Sequence, residues 1–398
     1  MDVVVVGAGQ AGLAVSHALR ARDVDHVVLE ADRVASAWRH RWDSLTLVTP
    51  NWTLALPDAP YSGDDPEGHV SRDQIVGYLE SYAAAHAGEI RVGVRVDRVD
   101  PGPDGRFVLD TSEGTMSCAQ VVVCTGAYSR PHHPTLATAF PAHVTVLDAT
   151  SYRSPGELTR AGVLIVGSGQ TGVQLAEELH ASGRPVTLAC GRAPWVPRRA
   201  EGKDIVTWME RTSYFGKRFA DLPPPRSRLA ANVQTTGAGG GHDLHFRVLQ
   251  QQGVTLAGRL TGVRDGRVTF ADDLADSVAF GDAWYAGLRA LFAAELGPDG
   301  PSLPEPEPFV ATAPTEIDLA DVGTVLFTSG FRPDHARWVG FPVFDELGFP
   351  VVDDHLATEV PGLFFCGVHF LRNRRSSLMW GVGDDAAVVA DTLVRQRS

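Results

Sequence analysis

The sequence predicts an α/β fold with two dinucleotide-binding (Rossmann-like) domains, the second inserted into the first. Three observations predict it. A β-branched run at residues 3–6 feeds the turn Gly7-Ala8-Gly9-Gln10-Ala11-Gly12, which opens a helical pattern. The same order returns at residues 163–166, before Gly167-Ser168-Gly169-Gln170-Thr171-Gly172. Two strand-like runs that leave through a glycine, Cys124-Thr125-Gly126 and Thr328-Ser329-Gly330, mark two crossings of the chain between the domains. The expected bounds are 1–154 for the first part of the outer domain, 155–323 for the insert and 324–398 for the return.

Each part of the first unit has a physical task. Gly7 makes the tight turn, Gly9 lets the backbone approach a pyrophosphate, and Gly12 lets the helix pack on the strand. Gln10 and Ala11 lie in the same turn, where N–H groups at a helix start face a diphosphate. Ala14, Val15, Ala18 and Leu19 recur at helical spacing, and the next apolar run, Val27-Val28-Leu29, stops at Glu30. Glu30 is placed to accept a hydrogen bond from an adenosine ribose hydroxyl. A lone GxGxxG is weak evidence; strand, helix, second strand and acid in register are strong evidence.

The stretch from Trp38 and Arg39 to Trp52 is too aromatic and too polar for a linker. It reads as a packed surface loop or as a wall over a cofactor, with Trp38 and Arg39 on the cofactor. Residues 56–68, rich in Pro, Gly and Asp, read as an irregular loop. Ser71 and Asp73 are the candidate caps of a helix over 74–86, with Ile75, Tyr78, Leu79 and Tyr82 inward. Residues 92–99 and 106–110 read as strands, and Val96 is expected beside the cofactor. The buried run 121–123 delivers Thr125 and Gly126 to the same place, and Pro131 and Pro134 mark the first crossing.

In the second unit Val173, Leu175, Ala176 and Leu179 point inward, and a strand over 186–189 follows. Cys190 stands where Glu30 stood, and Arg192, Arg198 and Arg199 come next. An acid there would repel a 2′-phosphate, whereas arginine pairs with it. The first site therefore suits the plain ribose of FAD or NAD. The second suits NADP, with Ser168, Gln170 and Thr171 in the turn and Arg192 and Arg199 on the phosphate.

Periodicity is poor over 201–246, where Trp208, Tyr214 and Phe215 precede Leu222-Pro223-Pro224-Pro225. The glycine-rich residues 237–241 read either as a mobile lid or as an ordinary flexible loop. Strands at 254–256 and 268–270, a helix over 275–296 and a proline-rich connection over 297–308 follow. The last strand leaves through Cys366-Gly367, and Gly381-Val382-Gly383 starts the final helix, so Gly367 and Gly383 complete the first site. Arg372, Arg374 and Arg375 read as a solvated basic turn or as the holder of a phosphate or anionic substrate.

With 398 residues the chain has material for two to three domains, and a net charge of −13 argues against nucleic acid or an anionic membrane as partner. No apolar run reaches membrane-span length and Met1-Asp2 leads straight into a strand, so a cytoplasmic location is expected. The four cysteines show neither CxxC nor zinc spacing. They read as buried thiols; no metal is expected, and dithiol–disulfide exchange is removed from the candidate reactions.

A doubled unit of this kind resembles the flavin-containing monooxygenase superfamily, chiefly its bacterial FMO-like branch and the plant YUCCA-type enzymes. The resemblance rests on "GAGQAGLA" with Glu30, "WRHRWDSLTL", "VVVCTGAYSRPHHP", "VGSGQTGVQLAEEL" with "GRAPWVPRR", "GGGHDLHF", and "GLFFCGV" through "GVGDDAA". One departure stands out. Phe140 and Tyr152 match the ends of the family's interdomain fingerprint, but Ala142 lies near its Gly and Asp148 replaces its His. That sets the chain apart from the N-hydroxylating and S-oxygenating core group while leaving the use of two cofactors.

The resemblance implies FAD, NADPH and O2, and insertion of one oxygen atom into a small organic substrate at nitrogen, sulfur or carbonyl through a C4a-hydroperoxyflavin. It implies a dry aromatic wall, for which Trp38, Trp42, Trp52, Phe370 and Trp380 are candidates; each alone also fits core packing. Asn51 and His369, just after cofactor-binding strands, are the candidates nearest the flavin; each alone also fits a structural role. Two rivals stay open: an NADPH-dependent flavin reductase or electron-transfer flavoprotein, and a non-catalytic redox sensor. Whether the chain forms a homo-oligomer is left open.

Overall fold

The computed structural model describes residues 2–222 and 225–397, so Met1 and the prolines at 223 and 224 lie outside the described residues. The outer domain opens with β1 (Val3–Val6), α1 (Gln10–Arg20) and β2 (His26–Glu30), then α2 (Arg72–His86), β3 (Glu89–Val92) and β4 (Gln120–Val123). The insert contains β5 (Thr145–Asp148), β6 (Gly162–Val166), α3 (Gln170–Ala181), β7 (Val186–Ala189), β8 (Thr255–Ala257), α4 (Leu274–Glu295) and β9 (Val322–Phe327). β10 (Leu363–Phe365) and α5 (Val382–Arg397) return to the outer domain.

Two five-stranded sheets result, in the orders β10-β4-β1-β2-β3 and β8-β7-β6-β9-β5. Every pairing within them is parallel. The central strands are covered on both faces, and so are apolar without alternation: all four valines of β1 are buried. Each such side chain contributes about 1.5–3 kcal/mol relative to exposure. α1 packs between its own sheet and α5, and buries Ala11, Leu13, Ala14, Val15, Ala18 and Leu19. No helix among the described residues is long and apolar enough to cross a membrane.

The helix expected at 74–86 starts at Arg72. Ser71 forms a capping box with Gln74, and Asp73 lies inside the first turn rather than at the cap. Ile75, Leu79 and Tyr82 are buried as expected, while Tyr78 is half-buried. The run expected at 92–99 divides, because Gly93 takes a φ of +75° between β3 and a strand over Val96–Pro101. That strand belongs to a separate antiparallel sheet with Phe107–Thr111 and Gly114–Cys118. In the third strand only Met116 and Cys118 turn inward between exposed Thr115 and Ser117, an alternation too short to announce a strand.

The insert reaches beyond the bounds expected for it. β5 pairs with β9 in the second sheet, so residues 145–148 lie with the insert rather than with the first 154 residues. β9 likewise carries the insert past residue 323. The glycine-rich residues 237–241 pack as a turn: a Cβ on Gly237 would lie 2.3 Å from the Leu47 carbonyl, and one on Gly241 2.7 Å from His69 Nε2. All four cysteines are buried free thiols.

Candidate dinucleotide crevices

Strands β1, β2, β4 and β10 end at one edge of the first sheet, with Val6 beside Leu29 and Val123, and Phe365 beside Val123. Gly7, Glu30, Thr125-Gly126 and Gly367 therefore line one crevice. It opens between β1 and β4, where the strand order changes direction, as ligand crevices of such sheets do. Gly7 takes a φ of +103°, which disfavours any side chain. A Cβ on Gly12 would lie 1.8 Å from the Gly7 carbonyl oxygen, so that glycine serves the packing of α1. At Gly9 a Cβ would meet nothing within 4 Å: this face is turned to the open crevice. No side chain caps α1, which leaves its first N–H groups for an anion.

Glu30 is buried at the end of β2, and its carboxylate accepts from the N–H groups of Ala8 at 2.7 Å and Asp32 at 3.1 Å. These bonds brace the turn and use two of about four acceptor positions, leaving others for a ribose. Gln10 ties three segments together: its Nε2 donates to the Ser377 carbonyl at 3.1 Å and its Oε1 accepts from Trp38 Nε1 at 3.0 Å. Trp38 is thereby held over the turn. Gly367 lies against Ala11, where a Cβ would come within 2.3 Å of the Ala11 Cβ.

Several expected ligands are engaged elsewhere. Arg39 turns away from the crevice to donate to the Val34 carbonyl and pair with Glu80 of α2. Val96 lies in the antiparallel sheet opposite Thr111; it is Val94 that reaches the end of β2, donating to the Glu30 carbonyl at 2.9 Å. Gly383 serves packing, since a Cβ there would lie 2.6 Å from Pro57. Asn51 is buried with its amide used by the loop around it. Oδ1 accepts from Val70 N–H at 2.6 Å, and Nδ2 donates to the Asp65 carbonyl at 2.9 Å.

The second sheet repeats the edge. Gly167 has a φ of +110°, and a Cβ on Gly172 would lie 2.0 Å from the Gly167 carbonyl oxygen. No side chain caps α3. The Ser168 hydroxyl donates to the Gly191 carbonyl at 3.1 Å and accepts the Gly191 N–H at 2.9 Å, which fixes the turn beside exposed Arg192. Cys190 is buried, and burial pushes its thiol pKa up. Arg199 donates to the carbonyls of Glu67 and Gly240, each at 3.1 Å, and so is tied to the loop junction rather than to the turn. A segment missed in the sequence lines this crevice. Ala231 lies 3.2 Å from where a Gly169 Cβ would be, Gln170 donates to the Val233 carbonyl, and Gln234 donates to the Ser168 carbonyl.

At the crossings between the sheets His369 stacks on Tyr128 at 5.5 Å and meets the edge of Phe349 at 5.0 Å. Its Nε2–H donates to the Arg228 carbonyl at 3.0 Å. Burial pushes its pKa down to about 4, so it is neutral near pH 7. Of the aromatic candidates, Trp42 is core. Trp52 and Trp380 meet edge to face at 5.7 Å, and Phe215 extends the set from Trp380 at 5.3 Å. Below them lies a buried charge cluster: Asp204 pairs with Arg198 and faces His69 Nε2 at 3.4 Å, and Arg198 donates to the Val48 carbonyl at 2.7 Å.

The comparisons with known proteins agree with this layout. The family model of pyridine nucleotide-disulphide oxidoreductases matches residues 4–212. An uncharacterized CzcO-like oxidoreductase of Geobacillus kaustophilus is 27% identical over 99% of this chain and 98% of its own length. Indole-3-pyruvate monooxygenase YUCCA1 of Oryza sativa is 34% identical over 50% of each chain. Among solved structures, a flavin-containing monooxygenase from Stenotrophomonas maltophilia superposes with a TM-score of 0.71 at 19% identity, covering 100% of this chain and 99% of the other. The chain belongs to the pyridine nucleotide-disulphide oxidoreductase family, and its fold is the two-unit fold of FMO-like flavoproteins.

Proposed function

We propose that the protein is an FAD-dependent, NADPH-consuming monooxygenase that places one atom of O2 into a small organic substrate. One observation carries this reading. Two glycine turns of the same build stand at the edges of two parallel sheets, one followed by buried Glu30 and the other by Cys190 and exposed Arg192. The carboxylate suits the FAD ribose, and the guanidinium suits the 2′-phosphate of NADPH. The outer domain would hold FAD, and the insert, which takes in β5 and the whole of β9, would hold NADPH.

When bound, FAD would supply the redox chemistry, that of a hydride acceptor and of an oxygen-reactive centre. The chain's own residues orient and seclude. Gly7, Gly9, Gly12 and the uncapped start of α1 hold the first diphosphate, and Gly167, Ser168, Gly169 and the start of α3 hold the second. Gln10 fixes Trp38 against the C-terminal loop, and Trp52, Trp380 and Phe215 form an apolar wall that keeps water out. His369, uncharged at neutral pH, fills the crossing as a fixed hydrogen-bond donor to the Arg228 carbonyl rather than as a proton carrier. Asn51 holds its loop. The monooxygenase names among the relatives and solved structures support the reading, and the lack of a CxxC motif favours it over exchange of disulfides.

The test is to load the purified protein with FAD, add NADPH and a panel of amines, sulfides, ketones and 2-oxo acids under 18O2, and read product mass. Incorporation of one labelled atom per product is expected. NADPH oxidation with an added electron acceptor but no label in any product would favour the reductase; retained flavin without NADPH oxidation would favour the sensor.

A further inference from the structure

The two glycine turns are built alike, yet they are not equally open. A Cβ on Gly9 would meet nothing within 4 Å, whereas one on Gly169 would lie 3.2 Å from the Ala231 Cβ and 3.9 Å from its Cα. The second glycine of such a turn is the point where a diphosphate comes closest to the backbone. At the second crevice that place is held by residue 231 of the chain itself. The Ala231 methyl already stands inside ordinary contact distance there, so a diphosphate and Ala231 cannot share it.

The segment around Ala231 is anchored at both ends. At its start the Arg228 guanidinium donates to the Phe370 carbonyl at 2.8 Å and pairs with Asp345 at 3.3 Å, and the Arg228 carbonyl accepts from His369 at 3.0 Å. These partners come from the stretch between β9 and α5. At its end Gln234 donates its N–H to the Pro194 carbonyl and its side-chain amide to the Ser168 carbonyl, each at 2.7 Å. Arg198 reaches the Thr235 hydroxyl at 3.1 Å, and Gln174 of α3 donates to the Thr235 carbonyl at 3.1 Å. Between these ends Gln170 ties the Val233 carbonyl at 3.2 Å, and exposed Asn232 faces the Tyr128 hydroxyl. A short span fixed at both ends can bow away from Gly169 by changes of backbone angle at a few residues, leaving the two sheets in place.

We propose that residues 228–236 form a strap that closes the diphosphate seat of the second crevice and lifts to admit the reductant. This rests on the reading of that crevice as the NADPH site. The nucleotide then binds only the fraction of molecules whose strap is raised, and the observed affinity is the intrinsic one reduced by that fraction. Whatever loosens the strap therefore strengthens binding, the opposite of what a plain wall of the site does. Only ligands with a diphosphate feel the strap. Adenosine 2′-monophosphate, which offers a phosphate to Arg192 and nothing to Gly169, does not.

The experiment uses the full chain loaded with FAD. Asn232→Cys places an exposed thiol on the strap while the four native cysteines are buried, so an environment-sensitive maleimide dye reports from position 232. NADP+ is expected to shift the emission of that dye, and adenosine 2′-monophosphate to leave it unchanged. Affinities come from calorimetric titration. Gln174→Leu removes the bond to the Thr235 carbonyl, and Ala231→Gly withdraws the methyl and favours the looser state. Each is expected to tighten NADP+ about threefold or more and to leave adenosine 2′-monophosphate within about twofold. The proposal is overturned if NADP+ binds without a change in emission, or if either variant weakens NADP+ or leaves its affinity as it was. It is also overturned if the monophosphate responds to the variants as NADP+ does. If neither nucleotide binds, the NADPH reading of the crevice falls and the strap's role with it, an outcome distinct from binding that the variants do not strengthen.

Discussion

Gly9 and Gly12 stand three residues apart, yet the structure gives them opposite duties. A methyl on Gly12 would strike the Gly7 carbonyl, whereas one on Gly9 would meet no protein atom within 4 Å. Gly12→Ala should therefore lower stability by about 1–3 kcal/mol in urea unfolding, as overpacking does. Gly9→Ala should leave stability within about 0.5 kcal/mol while weakening retention of FAD, measured by flavin absorbance after gel filtration. Three histidines contribute to the response to acid. Burial pushes His245, His335 and His369 down to about 4 from an ordinary 6.5. The unfolded imidazoles take up protons below 6.5 and the folded ones only near 4, so acid favours unfolding. Stability from these groups is complete above pH 6.5 and falls between 6.5 and 4; the urea midpoint should drop over that window, and His335→Asn should flatten the slope. The glycines and Glu30 were legible because their tasks are set by near neighbours in the chain. Arg39, Arg199 and Asn51 were not, since Glu80, the Gly240 carbonyl and Val70 N–H come from segments whose approach no local pattern announces.

Among the elements, the buried valine strands and both glycine-led helices could be read directly, because uninterrupted β-branched runs and 3.6-residue spacing are local signals. The antiparallel sheet could not: Gly93 divided one apparent strand, and a polar strand supplied its edge. Nor could the loop junction, where Arg198, Asp204 and His69 are all buried although they come from segments far apart in the chain. Arg198 also reaches the Val48 carbonyl and Thr235, so one guanidinium fastens the loop after β2 to the segment that lines the second crevice. Asp204→Ala would leave that cation buried without its carboxylate and should cost about 3–5 kcal/mol, read as a lowered urea midpoint. Asp204→Asn should cost less, because its amide oxygen still accepts from Val206 N–H and Arg198.

At the scale of the molecule, duplication was the readable feature and its exact seams were not. β5 hydrogen-bonds to the insert although it precedes the second glycine turn, a choice made by edge pairing with β9 rather than by any signal in residues 145–148. The two crevices differ chiefly in one charge at the end of the second strand, and that difference should be exchangeable. Arg192→Glu should raise the KM for NADPH about tenfold or more while changing that for NADH little, in steady-state oxidation assays with FAD-loaded protein. The segment through Ala231, Val233 and Gln234 lies over the second turn, so the nucleotide there would have to pass it.

The chain passes between its halves twice, and the two passages lie side by side: Arg130–Pro131 pairs antiparallel with Phe331–Arg332, and His132 N–H donates to the Gly330 carbonyl at 2.8 Å. A single tether would let one half swing in any direction. The paired passages are not the sole tie, since Arg198 reaches the Val48 carbonyl, Arg199 the Glu67 carbonyl and Trp52 the Thr207 hydroxyl across the same seam. The halves are thus fastened at several points, and parting them means breaking several bonds at once.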